Sequence, residues 1–298
     1  MLFRSKTIAV INTNLLHAVL VPLDSKIKSF KDFKGSNPPA TIGIVTGSSA
    51  EFYIQAAAKA NGIEIGKDII LKNMPPGEQM AMPKGIDAVV PWDPTPTIMA
   101  KERKNARIVS DSFPYNIYEG TFYVRQEVID NAPDVVQAFT DAIAEATLWI
   151  RKNPDAAVDV MQEDPNLKNY SKEILRQQIT AYNLLYKPNY IYPIPVFWGR
   201  ANEPIYTWLY ESKRIQNKLT GIDFARAVDT RFMDKTFEKL GWATTTRPPF
   251  LPATWTAPMD KTPYPTYMNP LNTTTPQAFP EKGDLTKDWS YDGKTYKK

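Results

Sequence analysis

The sequence contains no cysteine. Disulfides, thiolate metal centres and cysteine nucleophiles are therefore excluded, and no redox compartment is implied. Histidine occurs once, at His17. Metal sites that need two imidazoles are excluded, and a Ser-His-Asp hydrolase is excluded unless His17 is its base. No apolar run reaches the length of a membrane-spanning helix. The segment MLFRSKTIAVINTNLLHAVLVPL has early positive charge, but Asn12, Thr13, Asn14 and His17 break its apolar part. It is not read as a signal peptide. Charge of one sign is also scarce in excess: 36 Lys and Arg stand against 32 Asp and Glu. That balance suits a small anion or an acidic surface and lacks a nucleic-acid signature. With 43% apolar and 23% charged residues the chain is of globular composition, which leaves one large or two ordinary domains in its 298 residues.

What is present is an alternation of strand and helix signals over the first hundred residues. His17–Leu23 reads as a strand, Ser29–Phe33 as a helical turn, and Thr41–Val45 as a β-branched strand. A helix then runs to Ala60, with Gly62 placed for a left-handed cap. Ile69–Lys72 and Ile86–Val90 read as further strands. Pro75-Pro76-Gly77 reads as a turn, followed by a helical turn around Glu78–Met82. This order predicts an α/β fold with a mostly parallel sheet. Residues 119–127 form another strand, and helices follow. They are expected over Pro133–Ile150, from Asn153 as a cap with Pro154 at the first position, and from Ser171 with Ile174, Leu175, Ile179, Tyr182 and Leu185 on one face. Others fit Asn202–Leu219 and Asp229–Leu240. Residues 244–298 are rich in Thr, Pro and Lys, and cannot build their own core. Trp289 is expected opposite Tyr296 in a terminal hairpin.

The segment GIVTGSSAE (Gly43–Glu51) runs a strand through small residues into a helix. The first amides of such a helix lack internal partners, and its dipole favours negative charge. Gly47, Ser48 and Ser49 are the candidate anion donors. Read locally, Ser48 to Glu51 is first of all a capping box. Trp92 and Asp93 stand at the carboxyl end of a predicted strand, where ligands bind in open α/β sheets; core packing and helix capping are the plainer roles. Tyr118, Glu119 and Tyr123 surround the next strand. Asn14 and His17 lie near the first. A lone histidine without a recognisable carboxylate is more often structural. Tyr190, Tyr192, Phe197 and Trp198 read as an aromatic loop among prolines. No nucleophile has a base beside it, so no catalytic residue, cofactor or metal is expected.

Several of these runs resemble a known family. The stretch from Ile27, IKSFKDFKGSNPPATIGIVTGSS, is similar to a segment of bacterial ABC-transporter solute-binding proteins of the nitrate/sulfonate/taurine family. Asn73-Met74-Pro75-Pro76, Gly85-Ile86-Asp87-Ala88 with Trp92-Asp93-Pro94, NAPDVVQAF (Asn131–Phe139) and DTRFMDKTFEKLG (Asp229–Gly241) follow in the family's order. The resemblance implies a two-lobed periplasmic-binding-protein-like fold of type 2. The second lobe would be complete, and the first would be represented mainly by its C-terminal helices. Residues 1–19 would end the first lobe, 20–120 form the second, 121–243 return to the first, and 244–298 form an extension.

The implied role is non-enzymatic. A small anion of sulfonate, nitrate or carboxylate type would be captured between the lobes and delivered to a membrane permease. Gly47, Ser48 and Ser49 would supply donors and Trp92 an apolar wall. Asp93 or Glu119 would be available to a ligand amine, with Asn14 and Trp198 as further contacts. The protein would work in the periplasm or tethered at the cell surface, as a monomer when full length. The family's first segment and its export signal are missing from this chain. The alternatives are a thiamine-pyrimidine synthase on the same fold, which the absence of cysteine disfavours, and a binder of a pyrimidine precursor. Without its sheet, the apolar underside of Val135, Phe139, Ile143, Ile150, Ile179 and Leu185 would be exposed.

Overall fold

The structure is a computed structural model that describes residues 4–12, 17–112, 114–116, 118–181, 191–240, 244, 289–291 and 294–296. Its described residues divide into two compact units. One lies within Leu15–Ile117. The other draws on Met1–Asn14 and on the chain from Tyr118 onward.

In chain order, β1 (Ser5–Asn12) precedes the elements of the Leu15–Ile117 unit. These are β2 (Ala18–Pro22), β3 (Ala40–Ile44), α1 (Ser49–Asn61), β4 (Ile69–Asn73), α2 (Pro76–Gln79), β5 (Ala88–Val89), α3 (Thr95–Thr97) and β6 (Ala106–Asp111). The sheet order is β4-β3-β5-β2-β6. β3 pairs in parallel with β4 and β5, and β2 pairs antiparallel with β5 and β6. Four strands therefore run one way and β2 runs against them, so the expected mostly parallel sheet is present. β6 was not anticipated. Its sequence, ARIVSD, mixes three apolar with three polar or charged residues, and as an edge strand it leaves Ile108 41% exposed.

Strand alternation explains how this sheet is covered on both faces. Val19, Val21, Ile42, Ile44, Ala88 and Val90 share one cluster with Ala50, Tyr53, Ile54, Ala57 and Ala58 of α1. Ala18, Leu20 and Val89, the alternate residues, join Met74, Ile86 and Met99 in a second cluster. The α1 residues recur at the three- and four-residue spacing of one helix face. Gly43 leaves the space that Met74 and Val89 occupy, since a Cβ there would stand 3.0 Å from the Met74 sulfur. α1 ends as expected, with Gly62 in the left-handed region at φ 64°. Of the expected turn Pro75-Pro76-Gly77, the last two residues belong to α2, with Pro76 at its first position.

The other unit begins with β1 paired antiparallel to β7 (Gly120–Arg125), from Ser5 opposite Arg125 to Asn12 opposite Gly120. The helices α4 (Gln126–Asn131), α5 (Pro133–Lys152), α6 (Pro154–Glu163) and α7 (Lys172–Ala181) follow. After them come α8 (Pro195–Glu211), α9 (Gly221–Arg226) and α10 (Arg231–Leu240). Ser171 caps α7, accepting from the Ile174 amide. Asn153 precedes α6 as expected, but its side chain donates back to the Trp149 carbonyl in the last turn of α5 and makes no cap bond to α6. The helix expected over Asn202–Leu219 is corrected. α8 starts at Pro195, carries Pro204 in its interior, and stops at Glu211. Phe197 and Trp198 are consequently helical and buried, and are not loop residues. α8 and α9 meet backbone to backbone: a Cβ on Gly199 would stand 2.5 Å from the Gly221 carbonyl oxygen.

The expected exposed underside is only partly present. Val135 and Phe139 are 58% and 45% exposed, whereas Ile143 and Ile179 are buried. Ile179 is covered by Ala157, Val158 and Leu175, and Phe139 meets Phe122 edge-on at 5.3 Å. Tyr182, Leu185 and Tyr190 lie outside the described residues. The terminal strands β8 (Trp289–Tyr291) and β9 (Lys294–Tyr296) pair with Trp289 opposite Tyr296, as expected.

Candidate functional site

β2 runs against β3 and β5, so its first residues lie at the carboxyl end of those strands. This places His17 beside the start of α1. His17 is fully buried, bridges to Trp92, and its Nε2 is hydrogen-bonded to the Ser49 hydroxyl at 2.8 Å. The expectation that no base stands beside a hydroxyl is thereby corrected. The pairing joins residues 32 positions apart. No local pattern carries it; it follows from the antiparallel run of β2.

The turn into α1 spends most of its donors internally. Gly47 is in the left-handed region at φ 84°, and its amide donates to Glu51 Oε2 at 2.6 Å. The Ser48 amide and hydroxyl both donate to the Val45 carbonyl. The Ser48 hydroxyl oxygen accepts from the Ala50 amide at 3.2 Å. Glu51 therefore closes on Gly47, one residue before the cap, and the capping role of Ser48 is realised. Among the described residues, the Ser49 amide has no partner. The donors that remain for an anion are this amide and the Ser49 hydroxyl, a narrower set than Gly47, Ser48 and Ser49 together.

Trp92 is half-buried against the main cluster of its sheet, with its ring 6.2 Å from that of His17. Asp93 is 2% exposed, and its Oδ1 accepts from the Thr97 hydroxyl at 2.7 Å. Its carboxylate thus serves the start of the helical segment. Asn14 lies outside the described residues.

In the other unit Glu119 stands just before β7. Its Oε1 accepts from Asn202 Nδ2 of α8 at 2.9 Å. Its Oε2 is buried without a partner. Burial pushes the carboxyl up to about 8, against the opposing pull of the Asn202 bond. Trp198 is 2% exposed, packs edge-on against Phe197 at 4.9 Å, and leaves its indole N–H unpartnered. It is a core side chain of α8. Sequence reasoning missed Asn202 and Tyr206 as neighbours of Glu119, because they lie far along the chain on a helix whose start was misplaced.

Among the described residues no group of three or more acidic or imidazole side chains converges as a metal ion requires, and no helix is long and apolar enough to cross a membrane. A sequence comparison with curated proteins gives no match. Solved structures are similar in fold. The putative periplasmic sulfonate-binding protein SsuA of Methylobacillus flagellatus KT matches with a TM-score of 0.61 at 16% identity, over 82% of this chain and 73% of that one. The periplasmic nitrate-binding protein NrtA of Synechocystis PCC 6803 matches with 0.56 at 16% identity, over 79% and 68%. An enzyme shares the fold as well: the desulfurization enzyme DszB matches with 0.53 at 16% identity, over 79% of each chain. These likenesses establish a mixed α/β periplasmic-binding-protein fold. The family model described as NMT1/THI5 like matches residues 5–157, and the chain accordingly belongs to the NMT1/THI5-like family.

Proposed function

We propose that this protein is the solute-binding component of an ABC importer, working outside the cytoplasmic membrane and delivering a small anion to a permease. The anion is of sulfonate, nitrate or carboxylate type. On this reading residues 20–120 are the second lobe, 1–19 and 121–243 the first, and 244–298 an extension. The observation that carries it is Ser49, which offers an unpartnered amide and a hydroxyl held by His17 at the first turn of a 13-residue helix. The helix dipole favours negative charge there. When Nε2 of His17 carries a proton, the Ser49 oxygen accepts from it and the hydroxyl proton is free for the anion. Trp92 supplies the apolar wall.

Ser49→Asp tests the site. A carboxylate at the first position of a helix is neutral or slightly stabilising through the dipole. In an anion site the same group repels the ligand and removes a donor, costing about 2 kcal/mol or more of binding. Titration with ethanesulfonate and nitrate, beside a melt of the unliganded variant, reads both effects. Normal melting with binding lost supports the site; binding equal to wild type overturns it.

A further inference from the structure

The sheet of β1 and β7 is closed on one side and bare on the other. β1 is its inner strand: Ile8, Ala9 and Val10 are buried. The far edge of β1 meets the chain at Val228, where Thr7 donates to the Ala227 carbonyl and accepts from the Asp229 amide. β7 is the outer strand. None of its six residues is buried, and Tyr123 is 71% exposed. Among the described residues no strand pairs with its far edge.

An open edge is a template for another strand, and proteins commonly blunt one with proline, lysine or a bulge. GTFYVR contains neither proline nor lysine. The irregularities of the ladder fall on β1, where Ile8 and Ile11 are skipped in the register, so β7 runs unbroken from Gly120 to Arg125. Its Thr, Phe, Tyr and Val suit a strand. The bare surface continues on α5. Phe122 of β7 meets Phe139 edge-on at 5.3 Å, and Val135 and Phe139 face solvent. Further along α5 an open groove of about 340 Å³ is lined by Ala142, Glu145, Ala146 and Trp149. Val135, Phe139, Ala142, Ala146 and Trp149 follow one another at intervals of four, three, four and three residues, the spacing of a seam between two helices.

We propose that this face joins two copies of the chain about a two-fold axis, β7 antiparallel to β7 and α5 against α5, in place of the monomer that the resemblance implies. An extended peptide would fill the strand edge and leave the α5 seam bare; a second copy brings both parts together. The contact is self-complementary, as a two-fold axis requires. Along α5, antiparallel pairing sets the bulk of Phe139 against the partner's groove at its small residues. Along β7, it carries Arg125, the one charge of the strand, to the partner strand's opposite end, whereas a parallel pair would set two arginines side by side. The strand and the seam supply about half of the roughly 20–30 residues that each side of a standard interface contributes. The dimer is accordingly small and reversible, and forms at high protein concentration. It makes no use of the Ser49 site.

The test uses the full chain. Sedimentation velocity over about 1 to 300 µM should pass from one chain to two, as a small transient interface requires. Val135→Lys and Ala142→Arg place a charge in the seam at exposed positions. Each should weaken dimerisation tenfold or more, while the melt in dilute solution stays that of wild type. Because the chain has no cysteine, Tyr123→Cys supplies a single thiol: a short bismaleimide should link two such chains, and should fail to link Val160→Cys on α6. Hydrogen exchange at the β7 amides should slow as concentration rises. A single chain at every concentration overturns the proposal. So does a dimer that both charged variants leave intact, association beyond two chains, or equal linking of the two thiols. If the protein stays a single chain and its β7 amides are already slow, the edge is covered from within the same chain; if they are fast, it is open to another protein. Either result rules out the pairing.

Discussion

At neutral pH the buried carboxyl of Glu119 keeps its proton, because ionising it beside a single neutral donor is costly. Its folded pKa, about 8, lies above the ordinary glutamate value of 4.5. The folded state therefore holds a proton that the unfolded chain gives up. The resulting stability is full below about pH 4.5 and is lost as pH rises to about 8, at roughly 1.4 kcal/mol per unit. Glu119→Gln has nothing to ionise. Urea melts at pH 5, 6, 7 and 8 should show a flatter stability profile for this variant than for wild type, and a higher stability at pH 8. Equal slopes would mean that the carboxyl is ionised in the folded protein. At Tyr53 the same physics acts on a hydroxyl that has its partner. Burial raises its pKa, and its hydroxyl meets Ser110 at 2.8 Å, so both groups are satisfied.

Helix α8 tests two opposing tendencies at a single position. Alanine is the better helix former than glycine by about 1 kcal/mol, which would make Gly199→Ala stabilising on an isolated helix. Here the added methyl meets the Gly221 backbone, which has no side chain to swing aside. Overpacking of this kind costs about 1–3 kcal/mol and should win; an equilibrium unfolding curve shifted to higher denaturant would refute it. On α5 the contrast runs between faces. Val135→Lys should change stability by no more than about 0.5 kcal/mol, because the side chain is mostly solvated. Ile143→Ala should cost about 2–4 kcal/mol, because Ile143 is buried. The same features show what the sequence makes legible. Thr41–Val45, Gly62 and the 133–150 periodicity announce their elements through local chemistry alone. The start of α8 is not local: a proline favours a first turn, and Pro204 stands where a start at Asn202 would put it. Pro195 holds that position instead. Likewise Ser48 and Glu51 reveal a helix start, while the partner of Ser49 is His17, just before β2, and that of Glu119 comes from α8. Such pairs are decided by which way a strand runs, and composition has no bearing on it.

For the molecule as a whole, the proposed function gives the C-terminal extension no part in ligand binding. Its described strand β8 touches α10. A chain ending at Thr244 should bind ethanesulfonate within about 1 kcal/mol of the full chain, since few contacts of the extension would strengthen on binding; a tenfold loss would place the extension in the site. The pairing of β1 with β7 has a consequence for the order of assembly. Asn12 sits opposite Gly120, so all of the Leu15–Ile117 unit is strung between two neighbouring strands. While that unit is unfolded, closing the pair confines a long flexible loop, with an entropy cost that grows with its length. Once it has folded, the loop has become a compact body whose two ends need little further restraint. On a ribosome β1 emerges first yet must wait for β7, whereas the inserted unit has its own core and can fold before β7 appears. Refolding should accordingly show protection of the β3 and α1 amides ahead of those of β1. Substitutions that loosen the inserted unit should delay the pairing of β1, although they touch none of its contacts.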